Sequence, residues 1–217
     1  CDVVRFFTQL KCRMMPYLYR EAARANALGT PMMRAMVMEF PDDPACDYLD
    51  RQYMLGGSVM VVPVFTEAGD VQFYLPEGRW THLWHNDEID GSRWHKQQHG
   101  FQSLPVYVRD NTLLGLGNNE QRPDYAWHEG TAFQLFNLQD GREAVCEVPA
   151  ADGSVIFTLK AARTGNIITV TGTGEAKNWT LCLRNIAKVN GLQGGSQAES
   201  ELGVVVTPQG NELTITL

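Results

Sequence analysis

The sequence predicts a mainly β protein, in which a helical segment at the N-terminus is followed by two antiparallel β-sandwich domains. Three observations carry this expectation. Apolar residues hold a sustained helical spacing only in the first 28 residues. From Val59 onward, short apolar or alternating runs follow one another. Turn dipeptides (Asp140-Gly141, Asp152-Gly153, Thr164-Gly165, Asn190-Gly191, Gly210-Asn211) separate those runs at short intervals, as in antiparallel sandwiches.

Each element has a local reason. In residues 3–28, Val3, Phe7, Leu10, Met14, Leu18, Ala22 and Ala25 form one helical stripe, with Asp2 as N-cap and Gly29 and Pro31 as the stop. Pro16 should kink or split that helix near Met15. So broad a stripe needs a bulky partner, and little after it reads as helix, so part of that partner is expected outside the chain. Residues 32–40 read as a strand. A second helix is expected from Pro44 to Leu55, capped by Asp43 and ended by Gly56-Gly57. Strands are expected at 59–65, 71–75, 103–108, 131–138, 143–148, 154–159, 166–171, 180–184, 204–207 and 212–217. Asn111 to Asp124, rich in Gly, Asn and charge, reads as a domain boundary. The expected divisions are therefore a helical segment at 1–30, a proximal domain at 31–110 and a distal domain at 111–217.

The chain has 217 residues, 44% of them hydrophobic and 20% charged, which is globular composition. It carries 18 Lys and Arg against 25 Asp and Glu, a net charge of −7. No basic cluster offers a face to nucleic acid, and no run of 18 apolar residues suggests a membrane span. Five dispersed cysteines (Cys1, Cys12, Cys46, Cys146, Cys182) lack any CxxC pair, which fits reduced thiols in the cytoplasm. The chain opens on Cys1, already in helical text, and reads as a piece of something longer.

The candidate chemistry is sparse. Asp42-Asp43 is explained by capping, Asp87-Glu88 with Asp90 by turn chemistry, and Glu199 with Glu201 by a solvated surface. His95 and His99 lie four apart with His82 and His85 nearby, but the text around them reads as loop and lacks an HExxH frame, so no metal site is expected. Ser58 and Ser103 lack GxSxG flanks. Gly115-Leu116-Gly117 and Gly172-Thr173-Gly174 do not open helices, and no cofactor is expected. Asn178-Trp179-Thr180 fits a glycosylation sequon that a cytoplasmic protein would leave unused. Trp80, Trp84 and Trp94 remain. Trp80 is assigned to the core; Trp84 and Trp94 are candidate sugar-stacking residues or core.

Several runs carry a resemblance. They are Met15-Pro16-Tyr17-Leu18-Tyr19, Gly29-Thr30-Pro31-Met32-Met33-Arg34, Phe40-Pro41-Asp42-Asp43 and Gln52-Tyr53-Met54-Leu55-Gly56. Val61-Val62-Pro63-Val64, Leu75-Pro76-Glu77-Gly78-Arg79-Trp80 and Leu104-Pro105-Val106-Tyr107-Val108-Arg109 continue the series. In order and spacing they resemble the region of glycoside hydrolase family 31 that runs from the last barrel helix into the proximal domain, and the likeness is strongest to bacterial α-xylosidases. Arg109-Asp110-Asn111-Thr112-Leu113 departs from the family's Arg-x-Gly-Ser pattern. The resemblance implies a (β/α)8 barrel followed by proximal and distal β-sandwich domains, with residues 1–30 as the last helical segment of the barrel. It implies a retaining mechanism on two aspartates that lie upstream of Cys1, so no catalytic residue is carried onto this chain. The implied substrate is an oligosaccharide with terminal α-linked xylose, bound by the missing barrel, and the full-length protein is expected to be a cytoplasmic homo-oligomer. Two other readings stand beside this one: a carbohydrate-binding module using Trp84 or Trp94, and an α-glucosidase of the same family.

Overall fold

The computed structural model describes all 217 residues, Cys1–Leu217. It divides into two compact units, one of Cys1–Val3 with Arg24–Asp110 and the other of Val4–Ala23 with Asn111–Leu217. The helical segment is two helices, α1 (Asp2–Arg13) and α2 (Met15–Leu28). Pro16 explains both the break and the contacts made beside it. It has no N–H to give the Cys12 carbonyl four residues back, and that carbonyl instead accepts the Tyr125 hydroxyl at 2.8 Å. The Arg13 carbonyl accepts the Gly117 N–H at 2.7 Å. Tyr19 packs on Trp127, with ring centroids 4.7 Å apart, and donates to the Ala151 carbonyl at 2.6 Å. The helical residues 4–23 thus have a partner inside the chain. The expected stripe is only partly covered: Met14 is buried, whereas Phe7, Leu10 and Leu18 are half-buried.

The first unit contains β1 (Met33–Ala35), the short helix α3 (Met36–Glu39), β2 (Tyr53–Leu55), β3 (Val59–Val61) and β4 (Asp70–Leu75). It continues with β5 (Arg79–His82), β6 (Glu88–Asp90), β7 (Arg93–Gln98) and β8 (Val106–Arg109). Six strands form a sheet in the order β1-β2-β3-β8-β5-β6, and β4 pairs with β7 in a separate ladder. Every pairing in this unit is antiparallel. Met54, Met60, Trp80 and Tyr107 from the larger sheet share one hydrophobic cluster with Phe73 and Leu75 from the ladder.

Two expectations fail here. The strand read over 32–40 ends at Ala35 and becomes α3, whose Glu39 lies between two arginines. Glu39 accepts Arg34 Nη1 at 2.8 Å and Arg109 Nη1 at 3.0 Å. The helix expected over 44–55 is a single 3₁₀ turn, Pro44–Cys46, followed by strand β2. The local signals were sound, since the Asp43 carboxylate accepts the Ala45 N–H at 3.0 Å. Tertiary pairing won: Met54 is wholly buried between β1 and β3. Gln52 is drawn inward with it. Its side-chain amide donates to the Tyr74 carbonyl at 2.6 Å and accepts the Tyr74 N–H at 2.9 Å, doing for Tyr74 what a neighbouring strand would do.

The second unit contains β9 (Thr112–Leu116), β10 (Ala132–Phe136), β11 (Glu143–Pro149), β12 (Val155–Thr164) and β13 (Ile167–Gly174). Then come β14 (Thr180–Arg184), β15 (Gly191–Gln193), β16 (Gly195–Ser200), β17 (Gly203–Pro208) and β18 (Glu212–Thr216). One sheet has the order β16-β17-β14-β10-β9, and the other β11-β12-β13-β18-β15. Phe133, Leu181 and Val206 from the first meet Phe157, Val170 and Ile215 from the second in one core, closed by Trp127 and Trp179. The expectation of wholly antiparallel pairing fails once, because β10 and β14 are parallel; the chain leaves for the other sheet between them. β9 lies within the stretch read as a boundary, and all five of its residues are buried. The Thr164-Gly165 turn behaves as expected: Gly165 has φ +59° where β12 folds back on β13.

Gln52→Leu keeps volume but leaves the Tyr74 N–H and carbonyl without their partners. At roughly 1–3 kcal/mol per orphaned buried group, the expected loss is about 2–6 kcal/mol, read as a lowered urea midpoint.

Candidate functional site

The side chains singled out in the sequence gather mostly in the first unit, and strand alternation decides which way they face. His95 lies on a strand, not in the expected loop. On β7, His95 and Gln97 turn inward, whereas Trp94 and Lys96 are exposed. His95 stacks on Phe73 across the ladder at 5.5 Å, and Phe73 in turn lies 5.8 Å from the Tyr107 ring.

His82, at the end of β5, is only 2% exposed. Its Nδ1 accepts the His85 backbone N–H at 3.2 Å, so Nε2 carries the proton and donates to the Leu104 carbonyl at 3.1 Å. Burial is the main cause that lowers its pKa to about 4; the neighbouring His85 and His99 lower it further, while the Leu104 carbonyl and Asp87 oppose the shift. Trp84 is half-buried, with its ring edge-on to His82 at 4.6 Å.

A chain of polar contacts runs alongside. The His99 ring meets the Ser103 hydroxyl at 2.8 Å through Nδ1 and the Gln97 amide oxygen at 2.9 Å through Nε2. Gln97 then donates to the Tyr107 hydroxyl at 2.8 Å. The Ser103–His99 pairing was not legible in the sequence. It has the spacing of a nucleophile and base, but the group behind the imidazole is a neutral amide and not a carboxylate. Burial also lowers the His99 pKa. The chain of contacts therefore braces the 99–103 turn and lacks the charge that stabilises an imidazolium. No group of three or more His, Cys, Asp or Glu is arranged to hold a metal ion.

A second feature lies on the outer face of the β4–β7 ladder. A cleft of about 460 Å³ is lined by residues 39–44, Tyr74, Pro76, Glu77 and Ser92. Tyr74 donates its hydroxyl to Asp43 at 3.0 Å. Its cross-strand partner is Trp94, 53% exposed, with the rings 5.7 Å apart. Asp42 and Glu77 are exposed at the cleft. Trp80 is buried, with its indole N–H on the Pro76 carbonyl at 2.9 Å. Asp87 forms the turn after β5, and Glu88 and Asp90 lie within 3.6 Å of Arg79.

In the second unit, Glu199 is exposed on β16 and Glu201 in the turn after it. Asn178 is exposed, with φ +54°, beside a cleft of about 360 Å³. The cysteines are unpaired; Cys1 is exposed and the other four are buried. Burial raises the thiol pKa of Cys46 to about 11 and of Cys146 to about 12, which leaves them protonated and unreactive near neutrality.

A mainly β chain with several sheets and a helical lead is the architecture of the C-terminal domains of a glycosidase family. Residues 29–114 match the family described as Glycosyl hydrolase family 31 C-terminal domain, and residues 126–217 that described as Alpha-xylosidase YicI, C-terminal domain. The chain belongs to glycoside hydrolase family 31, as a C-terminal portion. An α-xylosidase of Emericella nidulans is 38% identical over 131 residues, 57% of this chain and 17% of that protein. Alpha-xylosidase XylQ of Lactiplantibacillus pentosus is 32% identical over 168 residues, 76% of this chain and 22% of its own length. The chain thus spans about a fifth of the length of these curated relatives. The structure of a family 31 dextranase of Flavobacterium johnsoniae, complexed with glucose, has the same fold, with TM-score 0.82 at 20% identity, over 96% of this chain and 32% of that one.

Neutral His82 gives the stability a defined pH dependence. Its folded pKa lies below its unfolded value near 6.5, so the unfolded chain takes up the proton first as the pH falls. The contribution is fully present above pH 6.5 and is lost progressively down to about pH 4, a total loss of about 3 kcal/mol. Denaturant midpoints measured across that window should fall, and His82→Gln should flatten the fall.

Proposed function

We propose that this chain is the C-terminal part of a retaining α-xylosidase that removes terminal α-linked xylose from oligosaccharides, and that these 217 residues are structural and not catalytic. The match of residues 126–217 to an α-xylosidase C-terminal domain carries the reading. The Emericella and Lactiplantibacillus relatives both bear that name. On this reading each unit is a β-sandwich domain, and the helical segment closes the catalytic barrel that precedes Cys1. The two catalytic aspartates lie in that barrel, one attacking the anomeric carbon and the other protonating the leaving oxygen and later activating water.

The carboxylates within the chain support a structural role, since several are already engaged. Glu39 is held by two arginines, Asp43 by a backbone N–H and a tyrosine, and Glu147 by Arg20 at 2.8 Å. The parent is further proposed to be a cytoplasmic homo-oligomer without metal or cofactor. The unpaired thiols support the compartment.

The test is an assay of the parent polypeptide on p-nitrophenyl α-D-xylopyranoside and α-D-glucopyranoside, with the 217-residue chain alone as control. Expected are preferred xyloside cleavage with retained configuration, and no turnover by the chain alone. Preferred glucoside cleavage would replace α-xylosidase with α-glucosidase. Turnover by the isolated chain would overturn the structural role.

A further inference from the structure

We propose that the outer face of the β4–β7 ladder is a binding site for a neutral oligosaccharide. The proposal rests on which groups the ladder register brings together. Tyr74 and Trp94 are opposed across the strands, and two residues along, Gln72 and Lys96 are opposed on the same face. All but Tyr74 are exposed. This places a flat indole between a pair of hydrogen-bond donors and the mouth of the adjoining cleft, where Asp42 and Glu77 offer acceptors. A pyranose ring needs that combination: an apolar C–H face to lie on a π-surface, and a rim of hydroxyls to donate and accept.

An exposed indole costs hydrophobic free energy, and Trp80 shows that the same unit can bury one. Trp94 stays out because β7 alternates: His95 takes the inward position on Phe73, which leaves residue 94 facing solvent. The charges select the ligand class. Asp42, Asp43 and Glu77 repel an anion, so nucleotides and sugar phosphates are disfavoured. A quaternary ammonium would want an aromatic cage. The third ring of such a cage, Phe40, already has Arg109 over it at 5.4 Å, and Lys96 adds a positive charge beside the platform. A neutral polyhydroxyl ligand remains.

The experiment titrates the 217-residue chain with isoprimeverose, an α-xylosyl-glucose disaccharide, and with maltotriose, following the backbone N–H resonances of Gln72 and Lys96, which every variant keeps, and the Trp94 indole N–H resonance. Choline chloride is the control. Expected is a saturable shift of those resonances by either sugar, with dissociation constants on the order of 1 mM. Trp94→Ala should weaken binding about tenfold. Trp94→Phe should keep it within about threefold, and thermal melting should show both variants folded. Binding that survives Trp94→Ala, resonances unmoved by both sugars at tens of millimolar, or a shift with choline alone would each overturn the proposal. The readout involves no hydrolysis, so the substrate preference of the parent can fail without touching this site, and the reverse.

Discussion

The side-chain amide of Gln52 holds the first unit to its geometry. It pairs both backbone groups of Tyr74, at 2.6 and 2.9 Å, on the edge of β4 that faces away from β7, where no strand runs alongside. A buried backbone N–H and carbonyl left without partners would cost more than most single contacts contribute. Once β4 is fixed by this clamp, period-two alternation assigns the rest. Phe73 goes in against Tyr107, Tyr74 goes out towards Asp43, and the pairing with β7 sets His95 inside and Trp94 outside. His95 and the exposed Trp94 therefore lie on the two sides of one two-stranded ladder.

The second unit solves a different problem. Its two sheets bury a common core, but the helical residues 4–23 must also be held. Pro16 makes that possible by leaving the Cys12 carbonyl without a helical partner, and the Tyr125 hydroxyl takes it. The contact of Tyr19 with Trp127 supplies apolar area beside that polar bond. A helix break that reads in sequence as a mere irregularity is a docking point in the structure.

Constellations with catalytic geometry are scarce in this chain of glycoside hydrolase family 31. Glu39, Asp43 and Glu147 have structural partners, whereas Asp42, Glu199 and Glu201 stay exposed. The one nucleophile-like pair, Ser103 with His99, is backed by Gln97 and not by an acid. A site can have the spacing of a catalytic dyad and lack its electrostatics; the difference here lies in a single amide.

Much was legible in the sequence because it depends on local chemistry. The mainly β character, the helix break at Pro16, the turn at Gly165, the cap at Asp43 and the burial of Trp80 follow from periodicity, missing donors and left-handed backbone. The resemblance to family 31 was legible in ordered runs of residues. What sequence could not supply were outcomes of competition between distant partners. A capped Pro44 helix lost to strand pairing at Met54, and β10 lies parallel to β14 because the chain visits another sheet between them. The loop text around His95 became a strand because Phe73 and Tyr107 offered it a surface. Local propensities amount to tenths of a kcal/mol per residue, whereas burial of one large side chain amounts to about 1.5–3 kcal/mol; where the two disagreed, the tertiary contact decided.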